Sequence, residues 1–395
     1  MYLTKSRRTI LSCGLVLFML GCVQVTGVAT PTLAPSAIPS QISFTPSLPS
    51  ATPEVPPIPN TPAPAKRGEV HDLTFTPDGK TLVSESRAQD GMTIELWDIA
   101  TGKSTARFTD SNRLFSALSL SQDGRLLAYG RCGKYDTRTS PCREYEIVLW
   151  DMTTHQPMDP PIRFPYRGPL AHSEVDLSPD GKTLAHMFSG DTGSGIVQVF
   201  DAATRQLIAT PLGGEIQLTG MAFSPDSKSI ALGSITGMIY LWSIEMRSVA
   251  TTLTGERGFV TNLTFSPDGE ILASKVLIPS MMEPNQKVVL WDLITLQPIG
   301  QPLPIETTPH LDLYSNTAFS PNVETLALID KNEAIALWDT LTGQPIPQPF
   351  AGQSATGDAG ITTCLAFSPD GKTLASGTKD GTINLWDMTA GSPNP

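Results

Sequence analysis

Few side chains in this sequence are of a type and spacing that could carry out chemistry. The five histidines stand at positions 71, 155, 172, 186 and 310, and no group of them has the spacing of a metal site. Most aspartates belong to recurring Ser-Pro-Asp-Gly turns or directly follow a tryptophan, where they serve backbone geometry. Glu174 and Asp176 are exceptions, because they lie together in a predicted strand. The sequence therefore predicts no catalytic group, no metal and no cofactor.

The five cysteines suggest different roles. Cys132 follows one predicted strand and Cys142 precedes its antiparallel partner, so the two thiols lie at the neck of a loop, within possible disulfide range. We interpret them as a disulfide, which would place the protein in an oxidising compartment. Two unpaired thiols are the alternative, since a metal site needs more ligands than this segment supplies. Cys364 is expected to be a small buried residue.

The elements that position these residues are repeats, and the last repeat is the clearest. Phe367–Asp387 reads FSPDGKTLASGTKDGTINLWD. A strand ends at Phe367, SPDG reverses the chain, TLASG forms a second strand, TKDG turns, and INLWD forms a third. Ile383 and Leu385 are two residues apart on one face, which is the period of a strand. The repeat therefore predicts antiparallel strands joined by tight turns.

Seven copies of this unit occupy most of the chain. Successive third strands end 53, 50, 42, 49, 47 and 48 residues apart, and all six tryptophans fall on this one position. The seven positions are Trp97, Trp150, Phe200, Trp242, Trp291, Trp338 and Trp386. Repeats of this length cannot bury an apolar face alone and must stack on their neighbours. We therefore assign the six tryptophans a structural role.

The chain resembles the WD-repeat β-propellers, because Trp-Asp stands at 97–98, 150–151, 291–292, 338–339 and 386–387. The resemblance implies an all-β fold, a seven-bladed β-propeller of four-stranded antiparallel blades around a central channel, over residues 66–395. Glu174 and Asp176 would line that channel. The family often ties a blade by hydrogen bonds among histidine, serine or threonine, aspartate and tryptophan. Blade seven offers Ser376, Asp380 and Trp386 without the histidine, so we expect incomplete ties.

Ring closure is the least regular part of the predicted propeller. The chain stops at Pro395 soon after the third strand of blade seven. In the family, the N-terminal segment supplies the missing outer strand. Here that segment reads PPIPNTPAPAKRG, and its prolines leave few backbone donors. The sequence predicts weak closure, or closure by QISF at residues 41–44. Other proline-spaced segments, such as LQPIGQPLP, are expected to form outer fourth strands.

The N-terminal residues predict a secretory signal followed by an extended tether. Residues 1–21 combine Lys5, Arg7 and Arg8 with the apolar run ILSCGLVLFML, which is typical of a secretory signal and short for a membrane span. Gly21 before Cys22 resembles the lipobox of bacterial lipoproteins, which makes Cys22 the lipidation site. An ordinary secreted protein cleaved further on, or an uncleaved anchor, is the alternative. Residues 22–65, with eleven prolines from 31 to 64, predict an extended tether.

The charge balance bears on the partners. The net charge is −11, and removal of the leader leaves 24 basic against 38 acidic side chains. Such a surface repels phosphate backbones, so we expect no nucleic-acid partner. We expect a monomer anchored by lipid to the extracytoplasmic side of a bacterial envelope membrane.

The segments that differ most from blade to blade are expected at the ends of the strands opposite the SPDG turns. Variable loops of this kind often carry function. Two insertions, Arg131–Glu146 in blade two and Lys275–Lys287 in blade five, and a long link after blade two are expected there. We hypothesise one partner-binding face from Arg131, Lys134, Tyr135, Arg138, Tyr166, Leu277, Ile278 and Met281. In and after blade two, the basic and aromatic residues also include Arg143, Tyr145, Arg163, Phe164 and Arg167, residue types common in interface hot spots. The alternative is that these are solvent-exposed loop side chains without a binding role.

We therefore interpret the protein as a membrane-tethered, extracytoplasmic binding or scaffold module with a protein partner at the loop-rich face. Two rival hypotheses stay open. One is a propeller hydrolase, lactonase or lyase that uses channel-lining acidic residues, with calcium as a candidate ion. The other is an envelope-assembly lipoprotein that holds other membrane proteins.

Overall fold

The computed structural model describes residues 68–88, 91–110, 118–136, 140–165, 173–189, 195–214, 216–255, 257–278, 285–305, 317–330, 335–346 and 362–389. All of them fall in one compact unit, Pro56–Pro395. Side chains of residues 134–143 are not described although strands pass through this stretch. The predicted signal, Cys22 and the tether lie outside the described residues. In the described part, no helix is long and apolar enough to span a membrane.

The described strands form seven antiparallel sheets, which confirms the seven-bladed all-β propeller. The first four blades contain β1 (Glu69–Phe75), β2 (Thr81–Ala88), β3 (Gly91–Asp98), β4 (Lys103–Asp110), β5 (Ser119–Leu120), β6 (Leu126–Asp136), β7 (Ser140–Asp151), β8 (Gln156–Pro165), β9 (Ser173–Leu177), β10 (Thr183–Ser189), β11 (Gly195–Asp201), β12 (Leu207–Ala209), β13 (Leu218–Phe223), β14 (Ser229–Ser234), β15 (Met238–Ser243) and β16 (Ser248–Thr254). A short 3₁₀ helix, Pro211–Gly214, follows β12.

The remaining blades repeat the same order. They contain β17 (Phe259–Phe265), β18 (Ile271–Ile278), β19 (Asn285–Asp292), β20 (Gln297–Ile305), β21 (Thr317–Phe319), β22 (Thr325–Ile329), β23 (Ile335–Asp339), β24 (Pro345–Ile346), β25 (Thr362–Phe367), β26 (Thr373–Thr378) and β27 (Ile383–Asp387). The proline-spaced segments LQPIGQPLP and LTGQPIPQPF provide the outer strands β20 and β24, as predicted. The outer strand β8 was not predicted, because its sequence was expected to belong to a long link after blade two. The prolines of these outer strands cost no ladder bond on the solvent side.

The turn between the first and second strands is built identically in all seven blades. In each, a serine or threonine hydroxyl donates to the side-chain Oδ1 of an Asp or Asn two residues later, over 2.6 to 2.8 Å. Five turns place glycine in the left-handed region, as at Gly371 with φ 71°. The turns of blades four and six lack this glycine and place Ser227 and Val323 there instead, at φ 61° and 65°. The hydrogen bonds therefore impose the turn even where glycine, which prefers it, is missing.

Each tryptophan packs on the preceding blade. Trp291 of blade five joins a cluster with Ile239 and Leu253 of blade four, and Trp386 of blade seven packs on Leu337 of blade six. Seven such clusters account for the core, one at each junction between blades. Burial of apolar side chains between sheets is thus the main force that holds the ring.

Blades seven and one, which close the ring, are joined by the same kind of packing as the other neighbouring blades. Blade seven has three strands among the described residues, and the proposed closing segments, 41–44 and 56–68, lie almost entirely outside them. Val70 of β1 packs directly over Gly377 of β26, where a Cβ would come within 2.5 Å of the valine Cγ1. Gly233 and Val260 make the same contact between blades four and five. The Thr363 hydroxyl also donates to the Val70 carbonyl, so β1 is joined to blade seven by side-chain packing and a hydrogen bond.

Candidate functional site

The central channel contains carboxyl groups that bridge neighbouring blades. The Asp72 carboxylate of β1 accepts from the Leu118 amide of blade two over 2.7 Å. Asp176 of β9 accepts from the Ser119 hydroxyl of blade two over 2.7 Å and from the Phe223 amide of blade four over 3.1 Å. Both oxygens of Asp176 therefore join it to neighbouring blades. Hydrogen bonds satisfy these inward-facing acids, as buried polar groups require.

Burial controls the protonation of these acids. It raises the pKa of Asp72 to about 7, with the nearby Glu85 carboxylate adding to the rise. It raises the pKa of Glu174 to about 8, and the Asp176 carboxylate contributes. The pKa of Asp176 is also raised by burial. The cause is the cost of placing negative charge in a poorly solvated channel.

The same polar joining continues around the ring with uncharged residues. Between blades four and five, the Thr219 hydroxyl donates to the Val260 carbonyl over 2.8 Å. Between blades five and six, the Thr317 hydroxyl donates to the Asn262 side-chain oxygen over 3.1 Å. The carboxyls of Asp72 and Asp176 thus occupy positions that hydroxyl and amide groups fill elsewhere. Within the described ranges, no group of three or more His, Cys, Asp or Glu residues could hold a metal ion.

The Ser–Trp tie predicted for blade seven is present. The Trp386 indole N–H donates to the Ser376 hydroxyl over 2.9 Å, and equal bonds join Trp97 to Ser84 and Trp291 to Ser274. In the other blades the serine position holds Tyr129, His186, Leu232 or Leu328. Among the described atoms, the indole N–H groups of Trp150 and Trp338 are buried without a hydrogen-bond partner. The tie is therefore present in blades one, five and seven.

Blade two departs most from the common pattern. Its second and third strands, β6 and β7, have 11 and 12 residues, whereas those of the other blades have five to eight. The predicted loop insertion at Arg131–Glu146 was thus wrong, because most of it extends the two strands as one hairpin. At about 3.3 Å per residue, the extra length carries the hairpin roughly 10 Å past its neighbours. It projects at the end opposite the SPDG turns.

An ion-pair network fixes the base of this hairpin. Arg131 donates through Nε to Glu146 over 2.8 Å and through Nη1 to Asp110 of blade one over 2.9 Å. Arg163 of β8 donates to the other oxygen of Glu146 over 2.7 Å. These contacts lower the pKa of Glu146 despite its burial. The predicted basic surface therefore needs correction, since acidic partners neutralise Arg131 and Arg163.

Of the aromatic residues of the same predicted surface, Tyr145 is buried and Phe164 is partly buried. Tyr145 is 1% exposed, and its ring stacks on Phe164 and on His186 of blade three. Burial lowers the pKa of His186 to about 3, so this histidine is a neutral core residue. The Ser173 hydroxyl lies 3.0 Å from its Nε2 and donates to the Tyr145 hydroxyl over 2.7 Å. Tyr145 and Phe164 thus join blade two to blade three.

The predicted disulfide is partly visible. Cys132 is disulfide-bonded and completely buried beside Tyr145. The side chain of Cys142 lies outside the described ones, so the pairing with Cys142 stays a prediction. Cys364 is a free, buried thiol, as expected.

The blade-five segment also differs from its prediction as a loop. Val276, Leu277 and Ile278 belong to β18, where Val276 and Leu277 are 3% and 6% exposed. The strand continues because β19 starts early and pairs Leu277 with Gln286. Met281 is outside the described residues, as are Arg138 and Tyr166 and the side chains of Lys134 and Tyr135. The structure therefore does not bring the eight predicted partner-binding residues into one described surface, and Leu277 faces the interior.

A cavity of about 350 Å³ lies between blades one and two, and sequence reasoning missed it. Its lining includes Phe108 of β4, Tyr129 of β6, Trp150 of β7 and Met158 of β8. The Phe108 and Trp150 rings are 4.4 Å apart. Tyr129 stands where three other blades carry serine, and this substitution was the available signal. The cavity and the hairpin form the candidate functional site.

Comparison with known proteins agrees with this fold. The profile of the family "WD domain, G-beta repeat" matches residues 247–275 and 352–387. Echinoderm microtubule-associated protein-like 2 of Rattus norvegicus is 27% identical over 164 residues, which are 40% of this chain and 23% of that protein. WD repeat-containing protein SL1-17 of Schistosoma mansoni is 33% identical over 137 residues, 33% of this chain and 40% of that protein. These matches thus span well under half the length of either relative.

A solved structure gives the wider match. The β-propeller domain of Myceliophteria thermophila Cps50 (Swd1) superposes with a TM-score of 0.59 at 16% identity, over 82% of this chain and 98% of that one. At this identity the match shows the fold alone. The sequence matches are to proteins with WD repeats, and the structural match is to a β-propeller.

Proposed function

We propose that this protein is a membrane-tethered, extracytoplasmic scaffold that binds a protein partner at the end of the propeller opposite the SPDG turns. The observation that carries the proposal is the projecting hairpin of β6 and β7. Its base is held by Arg131, Glu146 and Arg163, so a partner meets a preorganised element. Preorganisation reduces the entropy lost on binding.

The electrostatics of the site favour protein over nucleic acid. The chain is acidic overall, and both described arginines at the hairpin base are engaged by carboxylates. Phosphate binding needs free cationic groups at several positions. The carboxyls of Asp72 and Asp176 accept hydrogen bonds from neighbouring blades, so partner binding is assigned to the outer site and no catalytic role to these acids.

In-cell photo-crosslinking tests partner binding. A photoreactive amino acid at Arg138, between β6 and β7, is expected to capture a protein of defined mass. The matched control carries it at Lys228, an exposed residue beside the blade-four turn at the other end of the strands. Equal adducts from both positions, or none from Arg138, would contradict the proposed face.

The tether is tested by replacement of Cys22. Cys22→Ala should move the protein from the membrane fraction to the soluble extracytoplasmic fraction, because a lipid chain on this residue is the proposed anchor. Cys13→Ala, within the leader, is the matched control and should leave the membrane fraction unchanged. Fractionation and the mass of the mature N-terminus check the result. A membrane-bound Cys22→Ala protein, or an N-terminus without acyl mass, would refute the lipid anchor.

A further inference from the structure

The cavity between blades one and two has an apolar floor and aromatic walls. Ile94, Tyr129 and Val148 form the floor, and each is less than 5% exposed. Phe108, Trp150 and Met158 form the walls and are partly buried. Its volume of about 350 Å³ exceeds that of one large side chain and is at the small end of ligand pockets. The cavity is therefore large enough to hold one aromatic side chain.

The register of β8 explains why space exists here. Ile147 of β7 pairs with Ile162, and Leu149 pairs with Met158. Three residues, 159–161, therefore stand opposite Val148 alone, and two of them are prolines that cannot donate to the ladder. The bulged strand leaves the third strand partly uncovered at this level. The cavity thus lies beside the bulge that contains Asp159, Pro160 and Pro161.

The rim of the cavity is acidic on balance. Arg131 lies at the rim and is shared between Asp110 and Glu146. Arg163 neutralises part of Glu146 and lies 3.9 Å from Glu144. Asp159 is exposed on the bulge. Among the residues that line the cavity, Asp110 and Asp159 carry carboxylates and Arg131 carries a guanidinium, so acidic groups outnumber basic ones there. This balance favours a cation next to the anchor.

We propose that this cavity binds an aromatic anchor side chain flanked by basic residues, presented by an extended segment of the protein partner. This inference rests on the proposed scaffold function and names the chemistry that the scaffold recognises. The anchor ring packs against Phe108 and Trp150, with the offset or tilted geometry that aromatic rings prefer. The flanking cations lie near Asp159 and Asp110. A preformed aromatic pocket with a charged rim has the composition of an interface hot spot.

Three peptides with defined sequences test the proposal against the full chain. They are the acetylated and amidated tripeptides Lys-Phe-Arg, Glu-Phe-Glu and Lys-Ala-Arg, and the readout is the indole N–H signal of Trp150, assigned with W150F. Lys-Phe-Arg should shift this signal saturably. Glu-Phe-Glu should bind at least about tenfold more weakly because its charges oppose the rim. Lys-Ala-Arg should also bind at least about tenfold more weakly because it lacks the ring.

Two variants locate the binding. Thr109→Tyr, at an exposed rim position, should fill the opening and abolish the shift, and Asp159→Asn should weaken binding about threefold. The matched control is Glu245→Gln, an exposed acidic residue after β15, which should bind like the wild type. An unchanged melting curve of Thr109→Tyr shows that the fold persists.

Several results would overturn the cavity assignment. These are equal binding of the three peptides, no saturable shift with Lys-Phe-Arg, or an undiminished shift in Thr109→Tyr. Sedimentation could instead detect a dimer that dissociates in the Thr109→Tyr variant. This result would assign the cavity to a second copy of the chain and would also reject the proposal. Crosslinking from Arg138 stays informative in every case. If it persists while the peptides fail, the scaffold function stands and the anchor assignment falls.

Discussion

Blades three and five have the same strand order, yet they solve one packing problem differently. In blade five, the Trp291 indole donates to Ser274, and both residues are almost completely buried. In blade three, Phe200 replaces the tryptophan and His186 replaces the serine. His186 stacks on Tyr145 of blade two and lies 3.0 Å from the Ser173 hydroxyl. The position held by Ser274 in blade five and His186 in blade three can therefore form a hydrogen bond within its own blade or pack against the neighbouring blade.

The two solutions differ in their sensitivity to conditions. The Ser274–Trp291 hydrogen bond involves no group that titrates near neutral pH. The blade-three stack contains a histidine whose charged form is excluded by burial. The stack also depends on Tyr145, which belongs to the extended hairpin of blade two. Blade three should therefore respond to acid and to changes in blade two, whereas blade five should respond to neither.

The largest expected effect is on acid stability. Because the pKa of His186 is lowered to about 3 from 6.5, the unfolded state binds its proton first as pH falls. The stabilisation is complete above pH 6.5 and is lost as pH falls toward 3, which lowers the free energy of unfolding by up to about 5 kcal/mol. His186→Phe should remove this part of the pH dependence. Urea denaturation across this range, wild type against variant, measures the difference.

The difference between the two proteins is the relevant quantity, because other groups titrate in both. His71, with a pKa lowered to about 3, acts in the same direction. Asp72 and Glu174 have raised pKa values and act in the opposite direction, since their stabilisation falls as pH rises toward 7 and 8. A parallel pH profile for His186→Phe would show that the buried histidine does not control acid stability.

The second effect concerns the disulfide of Cys132. Replacing Cys132 and Cys142 by alanine should cost about 2 to 3 kcal/mol, because a closed loop of this length limits the entropy of the unfolded chain. Hydrogen exchange should accelerate in β7 and around the Tyr145 stack while β19 of blade five stays protected. Peptide mapping without reductant identifies the bridge. Free alkylation of both thiols in folded protein would disprove the pairing. Equal acceleration of exchange in blade five would show that the bridge does not act on blades two and three in particular.

The fold was predictable because its signals are local and repeat. The tryptophans and the SPDG turns recur at fixed spacing, and each turn is set by residues within five positions, such as Ser368, Asp370 and Thr373. The ring follows from the need to bury the remaining faces. The same locality explains why the worn turn at Val323 kept its conformation.

The candidate site was less predictable because its contacts join distant segments. The cavity requires Phe108 of one blade and Met158 of the next, which only the packed ring brings together. Arg131 looked like a free cation in sequence, but Asp110 and Glu146 approach it from other strands. Leu277 looked like a loop residue after Lys275, although pairing with β19 extends the strand over both.

The smallest effect is the difference in stability cost between replacing Trp291 and replacing Trp338. Trp291→Phe should cost about 2 to 3 kcal/mol, since it removes packing volume and the indole partner of the Ser274 hydroxyl. Trp338→Phe, in blade six, should cost about 1 kcal/mol or less. Its indole N–H is buried without a partner among the described atoms, so the change also removes an unsatisfied donor, which offsets part of the lost packing.

Phe200 supports the milder outcome, because blade three already holds phenylalanine at this position without a serine opposite. Thermal or urea denaturation of the two variants gives the comparison directly, with Ser274→Ala as the control that removes the acceptor alone. If Trp338→Phe costs as much as Trp291→Phe, packing alone sets the value of the tryptophan and the hydrogen bond adds nothing measurable. A clear excess for Trp291→Phe, matched by Ser274→Ala, would assign the difference to the tie within the blade.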